Sequence, residues 1–175
     1  MTEDDRRRAF SSAFIAQARS EWAVFNLLAG QSGVPVCHQL HYLQMVCEKV
    51  AKAYRLRDTK TSVDDLVSKH SGFAKFVGPF FLAVLKDDYV GKDAQLTGLI
   101  AGARKLAREI EKLAPAIDRL ASPENAEYPW ERDNAVTAPC DYSFPSLDLL
   151  RQAGGRTFLK LVTRALDEFD RWAIR

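Results

Sequence analysis

The sequence predicts an all-α fold, an antiparallel bundle of five to seven helices with one long ordered loop, on three observations. Apolar residues recur at the 3.6-residue period of a helix in several long segments. Nowhere does an apolar–polar alternation of useful length suggest a strand. One stretch, Ala121–Ser146, carries four prolines and no sustained period, as a loop does. With 175 residues, the chain can bury one substantial core and has little room for two, so a single domain is expected.

The first element runs from about Asp4 to Ala29, where Phe10, Phe14, Ala18, Trp22, Phe25 and Leu28 share a face. Glu3, Asp4 and Asp5 suit its positive N-terminal dipole. Gly30–Gly33 (GQSG) supplies the stop, and Ser32 and Pro35 are start signals for the next helix, so the two pair as an antiparallel hairpin.

That second helix, Val34 to Arg57, organises the rest. Val36, Leu40, Leu43, Cys47, Val50 and Tyr54 form one apolar stripe, with Val46 and Ala53 at its edge. His38, His41, Gln44, Glu48, Lys52 and Arg55 fall on the opposite half, expected to face water or a partner.

Thr61 or Ser62 can cap a brief helix whose first turn carries Asp64 and Asp65. The next helical segment contains Gly78 and Pro79, which predict a kink or break. From Asp93 to Leu120, a long stripe including Leu96, Ala103, Leu106, Ile110, Leu113, Ile117 and Leu120 predicts the longest helix after the first, bent near Pro115. In the loop that follows, Tyr128, Trp130, Tyr142 and Phe144 are expected to pin the chain onto the helices. Ser146 can cap a short helix through Gln152. Gly154 and Gly155 then separate it from a last helix in which Phe158, Leu161, Val162, Ala165, Phe169 and Trp172 share a face.

Composition narrows the function classes. A net charge of +2 describes a nearly balanced surface, so any polyanion site must be a local patch. The three cysteines, Cys37, Cys47 and Cys140, have no zinc-type pairing and fit a reducing, cytoplasmic compartment. The N-terminus lacks the apolar core of a signal peptide, and no apolar run approaches the roughly 20 residues that span a bilayer. No membrane association is expected.

The second helix also carries a pattern. Its HQLHYLQMVCEKVAKAY, with Glu48, Lys49, Lys52 and Ala53 as an EKxxKA core, is followed by His70 after a loop. It is preceded by a long helix with scattered alanines and the Leu27–Leu28 pair. Ala126–Trp130 (AEYPW) is similar to an arginine-tyrosine-proline segment, with Glu127 in the arginine position. In this order the motifs resemble the HEPN superfamily of helical domains over about residues 9–130.

The resemblance implies a four- to five-helix up-and-down bundle, often dimeric. Many such proteins are metal-independent ribonucleases of toxin or antiviral systems; others are non-catalytic modules that bind nucleotides or partner with minimal nucleotidyltransferases. The nuclease members carry an arginine four to six residues before a histidine, and none of His38, His41 and His70 has one. A non-catalytic module that binds a partner protein, a second copy, RNA or a nucleotide is therefore the leading expectation. The alternatives are a ribonuclease with a variant site and a structural subunit of a larger complex, marked by a broad exposed apolar patch.

Candidate residues follow, each with a plainer reading beside it. His41, Glu48 and His70 offer a base and an orienting carboxylate for a 2'-hydroxyl, and Lys52 and Arg55 offer cations for a phosphate. Glu48 and Lys52, one turn apart, equally make an ordinary helical ion pair. Cys37 and His41, or His38 and His41, are pairs at metal-ligand spacing with no third and fourth ligand nearby, so neither a metal nor a cofactor is expected. Arg6–Arg8 and, separately, Arg104, Lys105 and Arg108 form basic clusters. They are solvated faces unless they converge with Lys52 on one phosphate surface. Tyr128 and Trp130 can stack on a base or anchor their own loop.

Overall fold

The computed structural model describes residues 1–117 and 119–171. These form helices α1 (Glu3–Ala29), α2 (Val36–Arg55), α3 (Val63–Val67), α4 (Phe73–Leu85), α5 (Asp93–Glu111) and α6 (Ala153–Asp167). Two 3-10 segments, Pro139–Asp141 and Pro145–Arg151, and a small hairpin of strands β1 (Trp130–Arg132) and β2 (Ala135–Thr137) lie between α5 and α6. The all-α bundle is thus the observed architecture. No helix among the described residues is long and apolar enough to cross a membrane.

Helix α1 opens with a capping box, in which Thr2 Oγ1 accepts from the Asp5 backbone N–H while the Asp5 carboxylate accepts from the Thr2 N–H. It closes at Gly30 and pairs with α2 as a hairpin. Ser32 makes no cap: the residue before α2 is Pro35, and no side chain satisfies the helix start. Ser62 does cap α3, accepting from the Asp65 N–H at 3.4 Å.

Around α2 the apolar stripe packs as its spacing requires, with Leu40, Leu43, Cys47, Val50 and Tyr54 all buried. The opposite half is largely covered as well. Gln44 and Lys52 are 3% and 6% exposed, and of the row named from the sequence only His38 is fully exposed. Helix α1, α3 and the residues leading into α4 cover that side, so amphipathic spacing alone understated the burial of a central helix.

At the heart of the core, Tyr54 packs its ring against Phe76, Phe80 and Phe169 at 4.9–5.2 Å and donates its hydroxyl to the Ala165 carbonyl at 2.8 Å. Burial pushes its phenol well above the ordinary tyrosine range.

Several other expectations are corrected. Helix α4 continues through Gly78 and Pro79, so of the kink or break expected there the break does not occur. Gly78 is instead a place of close approach, where a Cβ would collide with the Arg104 guanidinium of α5. Helix α5, at 19 residues, is shorter than the 20-residue α2, and it ends at Glu111 rather than bending near Pro115. A proline ring crowds the carbonyl four residues back, which here is that of Glu111. Gly154 and Gly155 lie inside the first turn of α6 and separate nothing; a Cβ on Gly155 would strike the Leu149 carbonyl. The preceding turn is 3-10, led by Pro145 with no cap from Ser146.

The long loop is ordered as expected, with Trp130, Tyr142 and Phe144 packed edge to face on one another. Its hairpin was missed. Asp133 and Asn134, both at positive φ, form its two-residue turn, a conformation these residue types tolerate. Trp172, placed by its spacing on the last helix face, lies outside the described residues.

Candidate functional site

Position in α2 and the path of the chain from α3 to α4 together decide which polar groups meet. Glu48 and Lys52, one helical turn apart, pair at 2.8 Å with little of either side chain exposed. The Gln44 amide donates to the other Glu48 oxygen at 3.0 Å, and His70, brought over by the turn after α3, places Nδ1 3.3 Å from Oε1 and 3.4 Å from Oε2. Burial by itself would raise the Glu48 carboxyl. The hydrogen bond and charge of Lys52, the Gln44 amide and His70 outweigh it and hold the group below the usual glutamate value.

Lys52 spends its ammonium inside the protein. It donates to Glu48 and to the Val67 carbonyl at 3.0 Å, and it stands 5.5 Å from the centre of the Phe14 ring. Its side chain is 7% exposed, so it ties α2 to α1 and α3 and offers almost no surface to a phosphate. His70 differs, because half of its ring is exposed. An ionised carboxylate only accepts, so Glu48 holds Nδ1 as the donor and leaves Nε2 as the basic atom of a solvent-facing imidazole.

His41 does not join this group. Its Nδ1 lies 3.5 Å from Glu127 Oε1, joining α2 to the segment that leads into the hairpin. Arg55 is also apart: its guanidinium lies over Gly72, where a Cβ would stand 2.7 Å from Nη1, beside the start of α4. There the Glu111 carboxylate accepts from the Gly72 and Ala74 N–H groups at 2.6 and 3.2 Å, filling the positive end of α4. A second polar layer lies between α1 and α2, where Lys49 pairs with Glu21 at 2.8 Å and Gln17 donates to the same oxygen. Glu21 Oε2 is buried with no hydrogen-bond partner among the described residues.

The basic clusters do not converge with Lys52. Arg104, Lys105 and Arg108 are exposed on α5, with the Arg104 guanidinium laid against Gly78 of α4, whereas Lys52 is buried. The arginines of the first turns of α1 divide: Arg6 holds Asp64 of α3 through both terminal guanidinium nitrogens, Arg7 pairs with Asp4, and Arg8 is exposed. Trp130 is buried in the aromatic packing of its loop, while Tyr128 is exposed with the Arg119 guanidinium 5.9 Å from its ring centre. Cys37 is buried, and among the described residues no group of three or more His, Cys, Asp and Glu side chains is placed to hold a metal ion.

Sequence reasoning missed Gln44 as a partner of Glu48, Glu127 as the partner of His41, and the Glu21–Lys49 pair. The first carried a local signal, the i, i+4 spacing of Gln44 and Glu48. The other two join segments distant in the chain and carried none. Set against known proteins, the chain matches no family model, no curated protein and no solved structure.

Proposed function

We propose that this chain is a non-catalytic, HEPN-like helical binding module that pairs with a second copy of itself through the outer face of α1. The observation that carries the reading is a row of exposed, uncharged residues, Ala9, Ala13, Ala16, Ser20, Ala23 and Leu27, spaced alternately four and three apart. It lies opposite the buried Ile15, Ala18 and Phe25 and runs for about 27 Å at 1.5 Å per residue. In a chain that is 27% charged, this length of helix face without a charge is unusual for a solvated surface.

The row has the spacing of a two-helix seam, and its small side chains allow close approach of a second helix. It is also self-complementary. An antiparallel copy sets residue 9 against 27, 13 against 23 and 16 against 20, so the 62% exposed Leu27 meets an alanine in each half of a two-fold contact. The engagement of the Lys52 ammonium supports the non-catalytic half of the reading, because the cation paired with Glu48 offers almost no surface to a scissile phosphate. By the same HEPN likeness, the module belongs to a bacterial antiviral or toxin–antitoxin system.

Sedimentation equilibrium tests the pairing. The mass should rise with concentration from 19.7 kDa toward twice that value, and Ala16→Glu with Ala23→Glu should return it to the monomer with helicity unchanged. A wild-type mass fixed at the monomer value, or a dimer indifferent to both substitutions, contradicts it.

One observation favours a second reading, a ribonuclease with a variant site: the half-exposed His70 imidazole oriented by Glu48. Incubation of labelled RNA with wild type and His70→Ala decides it. Cleavage lost in the variant establishes the enzyme, and no cleavage at high protein concentration retires it.

A further inference from the structure

Away from the α1 outer row, the first turns of α1, the end of α2 and the residues after α6 enclose a cleft of about 380 Å³. Three arginines line it, Arg7, Arg8 and Arg57, together with the hydroxyl side chains of Ser12 and Thr59. Two of the arginines are held in place. Arg57 lies 4.6 Å from the centre of the Phe169 ring and donates through Nη1 to the Phe169 carbonyl. Arg7 has a side chain only 12% exposed and donates through Nη2 to Asp4. Each of these bonds uses one of the several N–H donors of a guanidinium, leaving the rest for a ligand. Arg8 is exposed and, among the described residues, has no such tether to a carbonyl or ring.

A planar guanidinium matches the oxygens of a phosphate in two-point contacts, and arginines fixed beforehand lose little side-chain freedom when they bind. The surroundings also set the size of the anion. Asp4 and Asp170 line the same cleft, and Glu3, Asp5 and Asp58 are exposed beside its lining residues in the chain. A long polyanion would also meet Glu3, Asp5 and Asp58 at successive phosphates, whereas a compact one within the cleft meets three arginines against the two lining carboxylates. We infer that this cleft binds a small phosphate-bearing anion of pyrophosphate size, either free or as the phosphate tail of a nucleotide. The site is independent of both α1 pairing and His70.

Calorimetric titration of the full chain with pyrophosphate, ADP and a single-stranded RNA oligonucleotide tests the inference. Pyrophosphate should bind saturably, and Arg8→Gln should weaken it about tenfold, the size of one charge-assisted hydrogen bond. Arg57→Lys should weaken it too, because the charge is kept and the fork is lost. Lys105→Gln with Arg108→Gln, on the outer face of α5, should leave the affinity unchanged, and the melting temperature of each variant reports its folding. ADP binding as tightly as pyrophosphate assigns the site to a nucleotide tail; pyrophosphate binding alone assigns it to the free anion. No saturable heat at millimolar pyrophosphate overturns the inference, as does equal weakening by the α5 substitutions or RNA binding that pyrophosphate fails to displace.

Discussion

Along α2, charged and polar side chains are buried: Lys52, Gln44 and most of Glu48 lie under α1, α3 and the turn that carries His70. Along the outer face of α1, every position from Ala9 through Ala13, Ala16, Ser20 and Ala23 to Leu27 is exposed and uncharged. Both helices depart from the rule that charge goes outside, and for different reasons. The polar groups of α2 are tolerated because each has a partner: Lys52 holds Glu48 and a backbone carbonyl, Gln44 holds Glu48, and Lys49 holds Glu21. The bare face of α1 has nothing packed on it among the described residues. The contrast separates polar residues that hold the fold together from an uncharged surface with nothing packed on it among the described residues.

The largest expected effect breaks the α2 side. Lys52→Ala leaves Glu48 buried without its cation and should cost about 3–5 kcal/mol in urea unfolding, whereas replacing the pair together by Glu48→Gln and Lys52→Met should recover most of that loss. A single-variant loss below about 1 kcal/mol would mean the pair is a surface bridge.

A smaller effect concerns the seam between the two helices, where the buried Ser11 Oγ donates to the Ala53 carbonyl at 2.8 Å. Ser11→Ala should cost about 1 kcal/mol by the same measurement.

The pH dependence follows from Glu48. Its folded value is held below the ordinary 4.5, so its contribution is fully present above that pH and is lost as pH falls through the folded value. The stability difference between wild type and Glu48→Gln should be constant at neutral pH and shrink below about 4.5. A difference unchanged into the acid range would contradict the pairing with Lys52 and His70.

The smallest effect sharpens the α1 side. Ala13→Lys should change monomer stability by no more than about 0.5 kcal/mol, because nothing packs on that position. A larger loss would show that the row already has a covering within the chain.

Much of this was legible before the coordinates. The apolar stripes of α1 and α2, the Ser62 cap and the aromatic anchoring of the long loop all rest on local spacing and residue type, and they fold as that spacing requires. The Glu48–Lys52 pair was visible for the same reason. Its depth was not, because one stripe per helix identifies the side that must be buried and leaves open what covers the other. The contacts of His70 with Glu48, His41 with Glu127 and Arg104 with Gly78 are set by chain paths between helices, which no periodicity encodes. Helix α4 continues across Pro79, so a proline in the sequence did not by itself mark a helix end, whereas α5 ends at Glu111, four residues before Pro115. The three-residue strands of the hairpin are too short for alternation to register, and only Asp133–Asn134 signalled the turn.

Thiol labelling tests the division between the two helices most directly. Cysteine placed by Ala16→Cys would sit on the bare row, and the native Cys140 is exposed elsewhere in the same chain and serves as the internal reference, while Cys37 and Cys47 are buried. The rate at position 16 should fall steeply as protein concentration rises through the pairing range, with the rate at Cys140 unchanged. Equal rates at both positions over the whole concentration range would show that the outer face of α1 receives no second copy.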